Sequence, residues 1–332
     1  MKTLVTGGAG FIGSHIVDCL VERGHDVTVI DDLSGGFAEN VNPKVRFLEG
    51  SVVHAHVVER LFATWKFDYV FHTAAYAAEG LSHFIRRYNY MTNLIGSVNL
   101  INEAVKHSIK CFVFTSSIAV YGAGQLPMTE EMIPQPEDPY GISKYAVELD
   151  LEAAHKMFGL NYIIFRPHNV YGERQNIGDP YRNVVGIFMN QLLQDKPLTI
   201  FGDGEQTRAF THISDVAPII ASSISNEDAY NQTFNIGADT VSTVNELAKQ
   251  VQIAMGMYAH NVVHLVPRNE VVHVFSDHSN IVKIFNPKPP VKLVGGLLMM
   301  AEWVKKHGAR QGKKFSSIEI EKNMPGSWRK MQ

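Results

Sequence analysis

Lys2-Thr3-Leu4-Val5-Thr6 runs without a break into Gly7-Gly8-Ala9-Gly10-Phe11-Ile12-Gly13, and apolar residues then recur at Ile12, Ile16, Val17 and Leu20. A short apolar strand, a glycine turn and an amphipathic helix in this order aim the N–H groups of a helix N-terminus at an anion. Gly7 permits the tight turn. Gly10 lets a phosphate approach the backbone, and Gly13 lets the helix pack close on the strand. A second strand, Asp26-Val27-Thr28-Val29-Ile30, ends at Asp31. Such units place there an acid that accepts hydrogen bonds from a ribose. A carboxylate at that point repels a 2′-phosphate, so the pattern points to NAD rather than NADP.

Strand and helix patterns alternate onward. Val45–Leu48 reads as a strand and Val57, Val58, Leu61 and Phe62 as a short helix. Tyr69–His72 is an apolar strand, followed by a long helical pattern from Phe84 to Val105. Lys110–Thr115, a helix over Tyr140–Met157 and Asn161–Phe165 complete the series. Strands apolar on both faces and separated by helices imply a parallel sheet covered on both sides. The expected class is therefore α/β, a doubly wound parallel Rossmann sheet with a smaller, mostly helical lobe. The sheet domain is assigned to residues 1–167, with a return segment near 208–236, and the lobe to 168–332. In the lobe Val184–Leu193, Val244–Met255 and Leu297–His307 look helical.

Composition sets bounds on partners. Net charge is −3, with 45% apolar and 19% charged residues, and no long charged run. This argues against a nucleic-acid or membrane-surface partner. The apolar stretch Leu293–Met300 is too short to span a bilayer. The first strand begins at residue 2, so no leader is expected. Only Cys19 and Cys111 occur, which fits a reducing, cytoplasmic setting. The histidines show no metal-site spacing, and no metal is expected.

Tyr140-Gly141-Ile142-Ser143-Lys144 opens a helix, so Tyr140 and Lys144, at i and i+4, share a face. A phenol is a weak base at neutral pH. A neighbouring ammonium, with a positive nicotinamide ring, lowers its pKa and lets it take a proton from a sugar hydroxyl. Thr115-Ser116-Ser117 ends a strand at the active edge of the sheet, where a serine is placed to hydrogen-bond the same hydroxyl.

Gly7…Gly10…Gly13, Asp31, Thr115-Ser116-Ser117…Tyr121-Gly122, Tyr140…Lys144 and Arg166-Pro167-His168-Asn169-Val170-Tyr171-Gly172 together resemble the extended short-chain dehydrogenase/reductase superfamily. The likeness covers essentially the whole chain. It is closest to the NAD-dependent nucleotide-sugar epimerases of the UDP-glucose 4-epimerase type. The resemblance implies Tyr140 as base, Ser117 as its partner and Lys144 as the group that tunes Tyr140 and binds the nicotinamide ribose. It places NAD against Gly7, Gly10, Phe11, Ile12, Gly13, Asp31, Asp32, Ala74, Ala75 and Asn93 as well. It places the UDP-sugar against Ser117, Asn169, Asn183, Thr199, Phe201, Arg208, Arg268 and Glu270, with Phe201 on the base and Arg208 on the diphosphate. Arginine suits a diphosphate because its planar fork donates two bonds at once.

Dehydratases of the superfamily carry Asp-Glu after the catalytic Thr. Here Ile118 and Ala119 follow Ser117 and cannot move protons. The implied reaction is 4-epimerisation of a UDP-hexose or N-acetylhexosamine through a 4-keto sugar, the alternative being a UDP-glucuronate 4-epimerase or decarboxylase. Departures from the pattern include Ser51, where relatives have an acid on the adenine, and Tyr76 and Glu79 after the fourth strand. Val274 aligns with the position that gates C2 substituents. Arg182 is expected to pair with Asp179 rather than with a uronate. Relatives pair two long helices, here about Asn89–Val105 and Tyr140–Met157, so a homodimer through a four-helix bundle is expected.

Overall fold

The computed structural model describes residues 1–124, 126–268, 271–312, 315 and 317–329. Strand β1 (Lys2–Thr6) leads through the glycine turn into helix α1 (Phe11–Glu22). β2 (Asp26–Asp31), β3 (Arg46–Glu49), α2 (Ala55–Trp65) and β4 (Tyr69–His72) follow. Then come α3 (Glu79–Ser82), α4 (Arg86–Tyr90), α5 (Gly96–Lys106), β5 (Cys111–Thr115), α6 (Pro139–Phe158) and β6 (Tyr162–Pro167). After them the chain forms β7 (Val170–Tyr171), α7 (Val184–Leu193), β8 (Leu198–Phe201), β9 (Thr207–Ala209), β10 (Thr211–His212) and α8 (Ala217–Ser222). The last elements are β11 (Gln232–Ile236), β12 (Val241–Thr243), α9 (Val244–Met255), β13 (Val262–Leu265), β14 (His273–Val274), α10 (Ser279–Phe285), α11 (Leu293–His307) and α12 (Gly326–Arg329).

Seven strands build one sheet in the order β11-β6-β5-β4-β1-β2-β3. Every pairing in it is parallel. The order reverses between β1 and β4, which is the switch point where ligands of such sheets bind. Adjacent residues of one strand enter opposite layers. Val5, Val29, Phe71, Val113 and Phe165 pack under α1 and α8, whereas Leu4, Ile30, Val70, Phe112 and Ile164 pack under α2, α5 and α6. Each such burial is worth roughly 1.5–3 kcal/mol, and both layers hold the strand ends, and so the site, in register. The lobe has its own core, in which Phe188, Leu192, Leu247, Val251, Leu297 and Met300 join α7, α9 and α11.

The doubly wound class holds, and strand ends shift by a residue or two. Two helices differ from expectation. The pattern from Phe84 to Val105 is one rod only in part: between α4 and α5 the chain widens into a π turn over Met91–Ile95. Such bulges redirect side chains without ending a helix. Helix α11 begins at Leu293 rather than Leu297. Gly295 and Gly296 lie inside it, and a Cβ on Gly296 would come within 2.2 Å of the Tyr171 hydroxyl, so the close approach of that ring needs a glycine there.

Among the described residues no helix is long and apolar enough to cross a membrane. Among them, too, no cluster of His, Cys, Asp and Glu has the makings of a metal site.

Candidate active site

A cavity of about 730 Å³ runs from the glycine turn, past the ends of β4, β5 and β6, to the wall made by β8 and β9. At its first end Gly7 has φ +73°, and a Cβ on Gly13 would lie 2.2 Å from the Gly7 carbonyl oxygen. Only glycines allow this turn. Gly7, Gly10, Phe11, Ile12 and Gly13 all line the cavity. Asp31 ends β2 beside them. Its carboxylate accepts the N–H of Ala9 (3.0 Å) and of Leu33 (2.8 Å). Burial raises its pKa, and those two backbone donors oppose the rise. Asp32 accepts the N–H of Ser34 at 3.0 Å, and both acids reach the cavity. The adenine-side departure, Ser51, lines it too.

Ser117, Tyr140 and Lys144 meet in the middle. Asp138 caps α6, its carboxylate accepting the N–H groups of Tyr140 (2.9 Å) and Gly141 (3.0 Å), with Pro139 at the first turn. That cap fixes where Tyr140 enters the cavity. Ser117 follows β5, and its hydroxyl oxygen accepts the N–H of Ala119 at 3.1 Å. The Lys144 ammonium donates to the Thr115 carbonyl at 2.8 Å and lies 5.9 Å from the Tyr140 ring centre.

The electrostatics differ from expectation. Burial pushes the Tyr140 phenol well above the ordinary tyrosine range, and hydrogen bonding with Ser117 only partly opposes it. Burial also brings Lys144 down to about 7, against a smaller opposing effect of Glu148. With protein groups alone, desolvation governs both shifts.

Ala74 and Ala75 line the cavity. Asn93 does not; it stands behind that wall. Its side chain accepts the N–H of Tyr76 (2.8 Å), donates to the Tyr76 carbonyl (3.1 Å) and donates to Asn89 (2.8 Å). Asn93 thus clamps the loop after β4, and the π turn is what brings it there.

On the far side Asn169 (φ +41°) and Asn183 (φ +38°) sit in strained turns and reach the cavity. Asn183 also donates to the Val170 carbonyl and caps α7. Thr199 and Phe201 line the wall, with Thr199 accepting from Gln191 at 2.8 Å. The Arg268 guanidinium stacks 4.6 Å from the centre of the Phe201 ring, so a flat cationic and an aromatic surface meet there. Arg208 lines the cavity while donating to the carbonyls of Thr207 (2.9 Å), Val272 (2.7 Å) and Val271. Glu270 lies outside the described residues. Val274 lines the cavity on β14, paired with Arg208. Arg182 pairs with Asp179 at 2.6 Å, as expected, and lies 5.0 Å from the Tyr76 ring centre. Glu79 lines the cavity, and its charge reaches Tyr140.

Sequence reasoning missed the support beneath the site. Arg166 donates from Nε to Glu148 (3.0 Å), from Nη2 to Glu148 (2.5 Å) and from Nη1 to the Tyr121 hydroxyl (2.7 Å). Ser116 donates to the same carboxylate. Glu148 lies at i+4 from Lys144, a signal that was available in the helix period. His168, at the cavity wall, stacks on His278 with 5.1 Å between ring centres. No spacing in the chain announces that pair.

A model of the NAD dependent epimerase/dehydratase family matches residues 3–237. The chain belongs to this family. A UDP-glucose 4-epimerase of Mycolicibacterium smegmatis is 32% identical over 312 residues, spanning 91% of this chain and 98% of that one. The structure of a Thermotoga maritima UDP-glucose 4-epimerase with UDP-glucose is similar at a TM-score of 0.88 and 37% identity, covering 92% of this chain and 99% of that chain. A UDP-N-acetylglucosamine 4-epimerase of Methanobrevibacter ruminantium, in complex with UDP-N-acetylmuramic acid, aligns at a TM-score of 0.85 and 32% identity over 92% of this chain and 98% of its own.

NAD is the family's cofactor, and the residues here fit it. The glycine cradle has no room for side chains at Gly7 and Gly13. Two buried polar atoms of cavity-lining residues, Thr115 Oγ1 and Gln175 Oε1, have no hydrogen-bond partner within the protein. Both need a partner to offset their desolvation.

Proposed function

We propose that the chain interconverts C4 epimers of a UDP-hexose, the N-acetylhexosamine pair included. What carries this reading is the continuity of one cavity from the glycine cradle, through Ser117, Tyr140 and Lys144, to Phe201, Arg208 and Arg268. NAD, held by the glycine turn, Asp31, Asp32 and Lys144, supplies a hydride acceptor at the sugar's C4 and a positive ring beside Tyr140.

The protein's own groups supply the rest. Tyr140 takes the proton from the 4-hydroxyl and returns it after the 4-keto sugar has turned over. Ser117 hydrogen-bonds the same oxygen. Lys144 holds the nicotinamide ribose. Phe201 carries the uracil, and Arg208 and Arg268 grip the diphosphate, the invariant part of the substrate, while the hexose rotates. Ile118 and Ala119 line the cavity after Ser117. Neither transfers protons, so removal of water from the sugar has no acid–base pair there.

The likeness to both a UDP-glucose and a UDP-N-acetylglucosamine enzyme suits Val274, a small side chain at the C2 end. A uronate is the less favoured reading, because Arg182, a cavity-lining cation that such a carboxylate would need, is already paired with Asp179. Residues 1–167, with the return strand, serve as the cofactor domain and 168–332 as the nucleotide-sugar lobe. A homodimer fits the apolar side chains left exposed on adjacent helices, Met91 and Ile95 beside Ile142 and Leu149.

The experiment is incubation with UDP-glucose, UDP-N-acetylglucosamine and UDP-glucuronate separately, without added NAD, and chromatography of the 4-epimers. A galacto product from either of the first two supports the reading and names the substrate. Product from the uronate alone favours the alternative. No product from any of them, with NAD bound, overturns 4-epimerisation of these sugars.

A further inference from the structure

The segment after α11 touches both loops that flank the dinucleotide cradle. Arg310 comes first. Its backbone is tied to α7, its N–H donating to Asn190 (2.9 Å) and its carbonyl accepting from Asn190 (2.9 Å). Its guanidinium stacks 3.9 Å from the Phe37 ring centre and pairs with Glu39. That loop hangs on the glycine turn, since the Phe37 N–H and the Asn40 amide both donate to the Ala9 carbonyl, each at 3.0 Å. Its Ser34, Gly35 and Gly36 line the cavity.

The segment then reaches the loop after β4. Phe315 packs against Tyr76 at a tilt and edge-on to Tyr88, ring centres 5.3 and 4.9 Å away. The Glu319 carboxylate accepts the N–H groups of Arg87 (2.8 Å) and Tyr88 (2.9 Å) at the start of α4. Trp328 is 2% exposed and meets Tyr181 of the far lobe edge-on at 5.3 Å. A Cβ on Gly80, a cavity-lining residue, would lie 3.2 Å from the same indole. Arg310 and Trp328 therefore each join the far lobe to one cofactor-side loop.

We propose that Arg310, Phe315 and Trp328 are positioning residues of a strap that retains NAD in the cavity. Dissociation requires the loop of Phe37 and the loop of Gly80 to part from the far lobe, and the strap links them across that gap. The inference rests on NAD as the resident cofactor, not on which sugar is turned over. An enzyme that regenerates its NAD in every cycle has no need to release it.

The test is the rate at which bound NAD leaves the purified holoenzyme, read with alcohol dehydrogenase and ethanol as a trap that turns released NAD into NADH. R310A, W328A, W328F and a chain ending at Gly308 are compared with the parent, each with its melting temperature. Release faster by about tenfold or more in R310A and W328A, near-parental release in W328F, and an unchanged kcat at saturating added NAD support the strap. The point variants keep the test decisive where the shortened chain does not fold. Parental release rates in folded R310A and W328A overturn the proposal. A parent that carries no NAD overturns the resident-cofactor premise, and the strap with it.

Discussion

The Lys144 ammonium donates to the main-chain carbonyl of Thr115 at 2.8 Å, two residues before Ser117. The tie joins helix α6, which carries Tyr140, to the end of β5, which leads to Ser117, and the Ser116–Glu148 hydrogen bond joins the same two elements.

That lysine is buried, and its pKa falls from 10.5 to about 7. The folded state then binds fewer protons than the unfolded chain at this site. The wild type gains most from the group above the unfolded pKa, and the gain is lost as pH falls from about 10.5 to about 7, with no further change below. Lys144→Met removes the charge and leaves Thr115 without its donor, a cost of about 1–3 kcal/mol that does not vary with pH. Cofactor-free wild type should therefore exceed the variant most at high pH, with the gap narrowing toward neutrality. Melting temperatures measured across that range check this; parallel curves would exclude it.

Tyr140→Phe removes the proposed base and nothing else of size. Turnover should fall by about 10²–10⁴-fold, with NAD content and melting temperature close to parental. Ser117→Ala removes one hydrogen bond to the reacting oxygen and should cost roughly 10–100-fold in kcat, the equivalent of about 1.5–3 kcal/mol. Full activity in Tyr140→Phe would remove the base from the scheme.

Glu148 and Arg166 form a buried pair, their side chains 2% and 6% exposed. Arg166→Met leaves the carboxylate buried and unpaired, which should destabilise by about 3–5 kcal/mol. Adding Glu148→Leu should recover a large part of that loss, because the apolar pair no longer carries an uncompensated charge. Ser116 loses its acceptor in the double variant, so the melting temperature should recover only in part. Chemical denaturation of the single and double variants measures the coupling.

The parallel sheet was legible because apolar runs, glycine turns and helix periods are local signals, and the Gly7–Gly13 turn and Tyr140…Lys144 carry their geometry in their spacing. What was not legible depended on distant contacts. The reason for a bare backbone at Gly296 is the hydroxyl of Tyr171, which comes from another element. The hydrogen bonds of Asn93, on the π turn, to the backbone of Tyr76 could not be read from the sequence. Tyr140 and Lys144 were placed together correctly, but spacing says nothing of burial, and burial governs both pKa values. The strap was invisible for the same reason: Phe315 and Trp328 show no period and acquire meaning only against Tyr76, Tyr88 and Tyr181.

Leu149, on α6, is 47% exposed, and Ile142 on the same helix and Ile95 on the π turn are each 40% exposed. If these side chains pair two copies, Leu149→Glu should shift the protein to monomers in sedimentation or light scattering, with the bound NAD retained. A dimer that persists with the charge in place would put the interface elsewhere.

Asp31 has two tasks, and one substitution separates them. Its carboxylate holds the N–H groups of Ala9 and Leu33, and under the proposed function it also accepts from the adenosine ribose. Burial raises its pKa, so the ionised side chain in the empty protein is opposed by desolvation. Asp31→Asn keeps one acceptor for the backbone, loses the other and removes that desolvation cost. The two effects oppose each other, and the cofactor-free melting temperature should move little. NAD binding has no such compensation. Losing charge-assisted bonds to the ribose hydroxyls is worth about 1.5–3 kcal/mol, or roughly 10–100-fold in Kd. NADP binding should weaken less or improve, because the repulsion of a 2′-phosphate is gone. Titration calorimetry of both nucleotides with both proteins should show the preference for NAD shrinking. An unchanged ratio of the two affinities would place the discrimination elsewhere than at Asp31.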